Sequence, residues 1–96
     1  MSVSQAQVDQ YLTELRQKGN EATTTFGADG SEVTKHRDGR VTVTLFFDTA
    51  GQTPAQVKQA ENAATDAAEQ FRGFDADAQV ASDGNVVRAI GVFDAP

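Results

Sequence analysis

The same short phrase occurs twice in this chain, and each time it opens the same succession of elements. Residues 4–10 read SQAQVDQ and residues 53–59 read TPAQVKQ, with Ala-Gln-Val-x-Gln common to both. In each phrase a hydroxyl residue stands three positions before a glutamine: Ser4 before Gln7, Thr53 before Gln56. This is the spacing of a capping box, in which the side chains and backbone N–H groups at a helix start satisfy one another. Val3 and Val8 are placed to close a hydrophobic staple across the first cap, and Pro54 takes the first helical position of the second, where its missing N–H costs nothing. Apolar stripes at helical spacing follow: Val8, Leu12 and Leu15 with Tyr11 beside them, then Val57, Ala60, Ala64, Ala67 and Phe71. Gly19 and Gly73 supply the residues at which the two helices are expected to stop.

Asp29-Gly30, Asp38-Gly39 and Asp83-Gly84 read as hairpin turns, because glycine tolerates the positive φ such turns require. The expected strands are Val41–Phe47, then Phe74–Ala81 paired with Val86–Phe93. The segment Asn20–Arg37 has only Phe26 and Val33 as large apolar residues, and is read as a hairpin in preference to one long bent strand. Helix–strand–strand, twice over, predicts a single α+β domain spanning residues 1–96. It is a two-layer sandwich, with both helices on one face of an antiparallel sheet of four strands, or five if Asn20–Arg37 contributes two. The ferredoxin-like arrangement with its first strand moved to the chain end has this element order. It would place Val41–Phe47 and Val86–Phe93, the two most apolar strands, in the middle of the sheet.

The first of these inner strands alternates apolar and polar residues until position 46, where a phenylalanine stands in the threonine phase of VTVTLFFD. Val41, Val43, Leu45 and Phe47 belong under the helices, so Thr42, Thr44 and Phe46 belong on the open face. The other inner strand, VVRAIGVF, is apolar in both phases. A two-residue turn at Asp83-Gly84 puts Val87, Ala89 and Phe93 inward and Val86, Arg88, Ile90 and Val92 outward; a three-residue turn reverses this. The first phase keeps Arg88 out of the core and is preferred. A mid-sheet patch of Phe46, Thr44, Val86, Ile90 and Val92 is the kind of surface that monomers avoid. The expected function is therefore a non-enzymatic interaction domain, with this patch binding a second copy of the chain or another protein.

Charge and composition narrow the other classes. Fourteen acids against eight bases give a net charge of −6, which repels phosphate backbones and anionic membranes. Neither a nucleic acid nor a membrane is an expected partner. With three strands after the first helix, residues 4–72 would have the element order of a double-stranded-RNA-binding domain. Such domains carry a basic cluster where this chain reads TPAQVKQAEN, with one lysine and one glutamate. The absence of cysteine excludes disulfides and thiolate chemistry. The start MSVSQAQVDQ lacks the basic region and apolar run of a secretion signal, and a cytoplasmic location is the expectation.

No catalytic residue, cofactor or metal site is expected. His36, the only histidine, lies in KHRDGR at a turn, and the basic spot of Lys35, Arg37 and Arg40 around it reads as exposed turn charge. Asp75 and Asp77 read as the polar half of a half-buried strand and as possible partners for Arg88 across the hairpin. Asp48 and Asp94 follow equivalent strands, and a carboxylate pair there would suit acid–base work; routine loop acids are the plainer reading. Two other functional classes stand beside the interaction domain. An acidic inhibitor or decoy for a basic groove is suggested by Glu61, Asp66, Glu69, Asp75, Asp77 and Asp83, set against Arg72 alone. A designed scaffold without biological activity is suggested by caps, glycine stops and turns that all agree.

Overall fold

In the computed structural model, which describes residues 4–94, the first helix runs past Gly19. This helix, α1, spans Gln5–Phe26 and closes at Gly27, whose φ of 71° is the left-handed conformation of a C-cap. Gly19 lies buried in mid-helix, where a Cβ would stand 3.3 Å from Ser31 Oγ and 3.4 Å from Val43 Cγ1. The missing side chain lets the helix lie close on the sheet. Leu15, Gly19 and Ala22 continue one buried stripe, and Thr23 and Thr25 return their hydroxyls to the carbonyls of Gly19 (2.8 Å) and Glu21 (2.9 Å). The hairpin expected in Asn20–Arg37 is thus corrected: its first part is helix, and Asp29-Gly30 is the junction to a single strand.

That strand is β1 (Gly30–Lys35), followed by β2 (Arg40–Asp48), α2 (Pro54–Gly73), β3 (Asp77–Asp83) and β4 (Val86–Asp94). The four strands form one antiparallel sheet in the order β1-β2-β4-β3, with the two most apolar strands inside, as the permuted order requires. Both capping boxes are present. Gln7 N–H donates to Ser4 Oγ at 3.2 Å and Gln56 N–H to Thr53 Oγ1 at 3.2 Å, while the glutamine carbonyls accept from Ser4 N and Thr53 N at 3.0 and 2.9 Å. The staple expected between Val3 and Val8 involves a residue outside the described range.

The two hairpins turn differently. His36 N–H donates to Arg40 O at 2.8 Å and Gly39, at φ 91°, donates to His36 O at 3.1 Å, leaving residues 37–39 as a loop that sets Val33 opposite Val43. In the second, Asp83 faces Val86 directly, and only Gly84 (φ 60°) and Asn85 intervene. That short turn sets the phase of β4. Val87, Ala89 and Phe93 are buried under the helices, and Val86, Arg88, Ile90 and Val92 take the other face.

Strand β3 begins at Asp77, later than the expected Phe74. The chain leaves α2 through Asp75, whose φ of 64° is left-handed, and Asp75 and Ala76 donate back to Arg72 O and Phe71 O. Phe74 therefore precedes the sheet and stays 47% exposed. The core lies between the layers and is built on Leu15, Val41, Val43, Leu45, Phe71 and Val87. Ala64 and Ala67 are fully buried, so α2 presents little side-chain bulk to the sheet. Phe71 meets Phe93 edge-on, with ring centroids 5.9 Å apart at 75°.

Candidate interaction face

Packing sends alternate residues of every strand to opposite sides, and both helices lie on one of those sides: α1 along β1 and β2, α2 along β3 and β4. The other side is therefore fixed by register. Across the two inner strands Phe46 faces Arg88, Thr44 faces Ile90, and Thr42 faces Val92. Outside them, Gly30, Glu32 and Thr34 flank Phe46, Thr44 and Thr42, while Ala81, Gln79 and Asp77 flank Arg88, Ile90 and Val92. Phe46, Thr44, Val86, Ile90 and Val92 are thus brought to one face, and each is half-buried by its neighbours.

Arg88 interrupts the apolar run. Its guanidinium carbon lies 5.6 Å from the centre of the Phe46 ring, a cation–π arrangement. On the ring's other flank Gly30 offers no side chain. Phe46 is thus covered on one side only, and Arg88 separates Val86 from Ile90 along β4. The role of Arg88 was not anticipated from sequence, although the two-residue turn that sets the phase of β4 also sets Arg88 opposite the ring. Its carboxylate neighbour is Asp83, at 3.8 Å, not Asp75 or Asp77 as expected across the hairpin. With Asp83 highly exposed this is a weak surface pair. Beside Val92 the face dips into two shallow grooves, one of about 170 Å³ along Asp77, Gln79 and Ile90, the other of about 200 Å³ along His36, Arg40 and Thr42.

The remaining sequence candidates do not converge. His36 is exposed, with Nε2 2.6 Å from Thr42 Oγ1. In the basic spot Arg40 is paired with Asp38 at 2.7 Å, and its hydrogen bonds hold the Asp38 carboxyl below the usual carboxylate range. Asp75 and Asp77 do not share a strand face, because Asp75 lies before β3. Asp48 and Asp94 end antiparallel strands and lie at opposite ends of the β2–β4 pair, where they face Val86 and Arg40. The partner of Asp48 is instead Asp29, whose Oδ2 accepts the Asp48 N–H at 2.6 Å. Among the described residues no group of three or more His, Cys, Asp or Glu side chains is placed to hold a metal ion. No helix among them is long and apolar enough to cross a membrane. Comparisons with protein-family models, curated proteins and solved structures give no match to this chain.

Proposed function

We propose that this chain is a non-enzymatic interaction domain that associates with a second copy of itself through the open face of its sheet. The observation that supports the reading is the register, which sets Phe46, Ile90, Val92 and Val86 on adjacent inner strands of the one face that neither helix covers. Two-fold association is the commonest route by which such a surface is covered.

Magnitudes bound the strength. Each of the four side chains is already half-buried, so covering the remainder is worth about 1 kcal/mol apiece. For two copies that is about 8 kcal/mol, against roughly 4–15 kcal/mol of association cost, before Thr42, Thr44 and Ala81 add their methyl groups. The four side chains alone leave at most about 4 kcal/mol, a millimolar dimer, and the methyl groups add to that. The acids weigh against the decoy reading. Glu61 and Glu69 belong to α2 on one side of the sheet, whereas Asp77 and Asp83 take the other, so the charge does not form one surface.

Sedimentation equilibrium over a concentration series tests this. The weight-average mass of the unmodified chain is expected to rise above 10.2 kDa as concentration increases into the high micromolar range, and that of Phe46→Asp with Ile90→Lys to stay at the monomer value. A folded, unmodified chain that stays monomeric at high micromolar concentration defeats the reading.

A further inference from the structure

A cleft lies away from the open face, at the end of the sheet where α1 closes and α2 begins. Its volume is about 320 Å³, the low end of the roughly 300–1,000 Å³ range of small-molecule sites. Phe26, Phe47, Ala60 and Ala63 give it an apolar lining, and Phe26 is only half-buried. Its polar lining consists of Asp29, Asp48 and the glutamines 52, 56 and 59, with no lysine or arginine among the described residues.

The hydrogen bonds already made there leave each carboxylate with one free oxygen. Asp29 Oδ2 takes the Asp48 N–H, and Asp48 Oδ1 takes the Ala50 N–H at 3.0 Å. Gln52 spends its amide donor on Asp48 O at 3.1 Å, and Gln56 spends its carbonyl on the cap at Thr53. Asp29 Oδ1, Asp48 Oδ2 and the carbonyl oxygens of Gln52 and Gln59 remain without a partner among these bonds, as do the side-chain amide N–H groups of Gln56 and Gln59. It is therefore the two carboxylates that give the cleft its preference in charge. The helix ends do not change the sign. The negative end of α1 and the positive end of α2 border the same cleft as half-charges of opposite sign, about 0.5 each, and largely offset. Two whole carboxylate charges then decide the local potential.

We infer that this cleft is a binding site for a small alkylammonium or arylalkylammonium group. An ammonium group supplies the charge that the two carboxylates call for and donors for their free oxygens, and its carbon body lies on the phenylalanine and alanine lining. The same chemistry is offered by a free amine and by a lysine side chain. Amide NMR of the full chain distinguishes them, with 2-phenylethylammonium, Nα-acetyl-lysine amide, neutral 2-phenylethanol and phenylacetate as probes. An ammonium probe is expected to give saturable shifts at Asp29, Gln56, Ala60 and Ala63 in the low-millimolar range, with the alcohol weaker and the carboxylate silent. Tighter binding of the free amine or of the lysine amide identifies the source. Asp48→Asn is expected to weaken binding by about tenfold, on the scale of one charge pair near a surface. Gln59→Lys, an exposed helical substitution that leaves the fold intact, is expected to abolish it, while Asp77→Asn on the open face leaves it unchanged. The inference is overturned if neither ammonium probe produces saturable shifts in the cleft. Equal binding of the alcohol, or unaltered binding by folded Gln59→Lys, overturns it as well.

Discussion

The ring of Phe71 occupies the space that a side chain on Gly91 would need. A Cβ at Gly91 would lie 2.8 Å from Phe71 Cδ2 and 2.9 Å from Cγ, with Phe93 Cε1 at 3.1 Å. Phe71 is 1% exposed and held by Phe93, so the ring has nowhere to retreat. Helix α2 is seated on the middle of β4 at this point. Gly91→Ala is expected to cost about 1–3 kcal/mol, the range for overpacking a filled core. Urea denaturation measures the loss. Phe71→Leu in the same chain should make the two changes less than additive, because the smaller side chain vacates part of the disputed space.

Gly19 is a milder case. Alanine would gain roughly 0.8–1.0 kcal/mol of helix propensity over glycine. Its Cβ would meet Ser31 Oγ at 3.3 Å and Val43 Cγ1 at 3.4 Å, which asks for a shift of a few tenths of an ångström. The two effects nearly offset, so Gly19→Ala should leave stability within about 1 kcal/mol of the original. Gly19→Leu has no such margin and should lose about 2 kcal/mol or more. Thermal and urea unfolding of both variants give the comparison.

Tyr11 is the sole tyrosine in a chain without tryptophan, so absorbance near 295 nm titrates one group. Its hydroxyl donates to Asp94 O at 2.8 Å. Burial, then the charges of Asp94 and Glu14, push its pKa above the ordinary 10.0. The folded state holds this proton more tightly than the unfolded chain does. Its stabilising contribution is therefore complete below the unfolded value and fades as pH rises through the folded one. A spectrophotometric midpoint above 10 is expected, and Tyr11→Phe should flatten the alkaline decline in stability.

Arg88 opposes the association that its neighbours favour, because a guanidinium covered by a second copy loses water and gains only what Asp83 supplies. Arg88→Leu should tighten the dimer by about tenfold or more, equivalent to about 1.4 kcal/mol. Sedimentation equilibrium beside the unmodified chain checks this, and no change in mass distribution would place the contact elsewhere.

Much of the fold was legible because local chemistry and tertiary packing agree. Ser4–Gln7 and Thr53–Gln56 fix both helix starts. The alternation of β2 fixes its buried face, and reluctance to bury Arg88 selects the phase of β4. The reading failed at Gly19, where a residue that ends helices when exposed serves inside one as a point of close approach. Ala22 and Phe26 continue the apolar stripe, but three threonines between them lower helix propensity and hide it. At Asp75 a non-glycine residue takes the left-handed conformation, one that aspartate tolerates better than most residues but does not by itself demand. The candidate face was legible as a list of residues; the ring–guanidinium pair within it depends on register between strands distant in sequence.

The hydrogen bond from Tyr11 to Asp94 joins the first helix to the last strand across an interval of 83 residues. With these elements held together, the six elements make a circuit that a short added linker between the start of α1 and the end of β4 would close. Opening that circuit at Gly84-Asn85 and bridging residues 94 and 4 with a flexible linker would preserve every strand pairing. The chain would then read strand–helix–strand twice, the unpermuted order, so the same three-dimensional object can be spelled from either starting point.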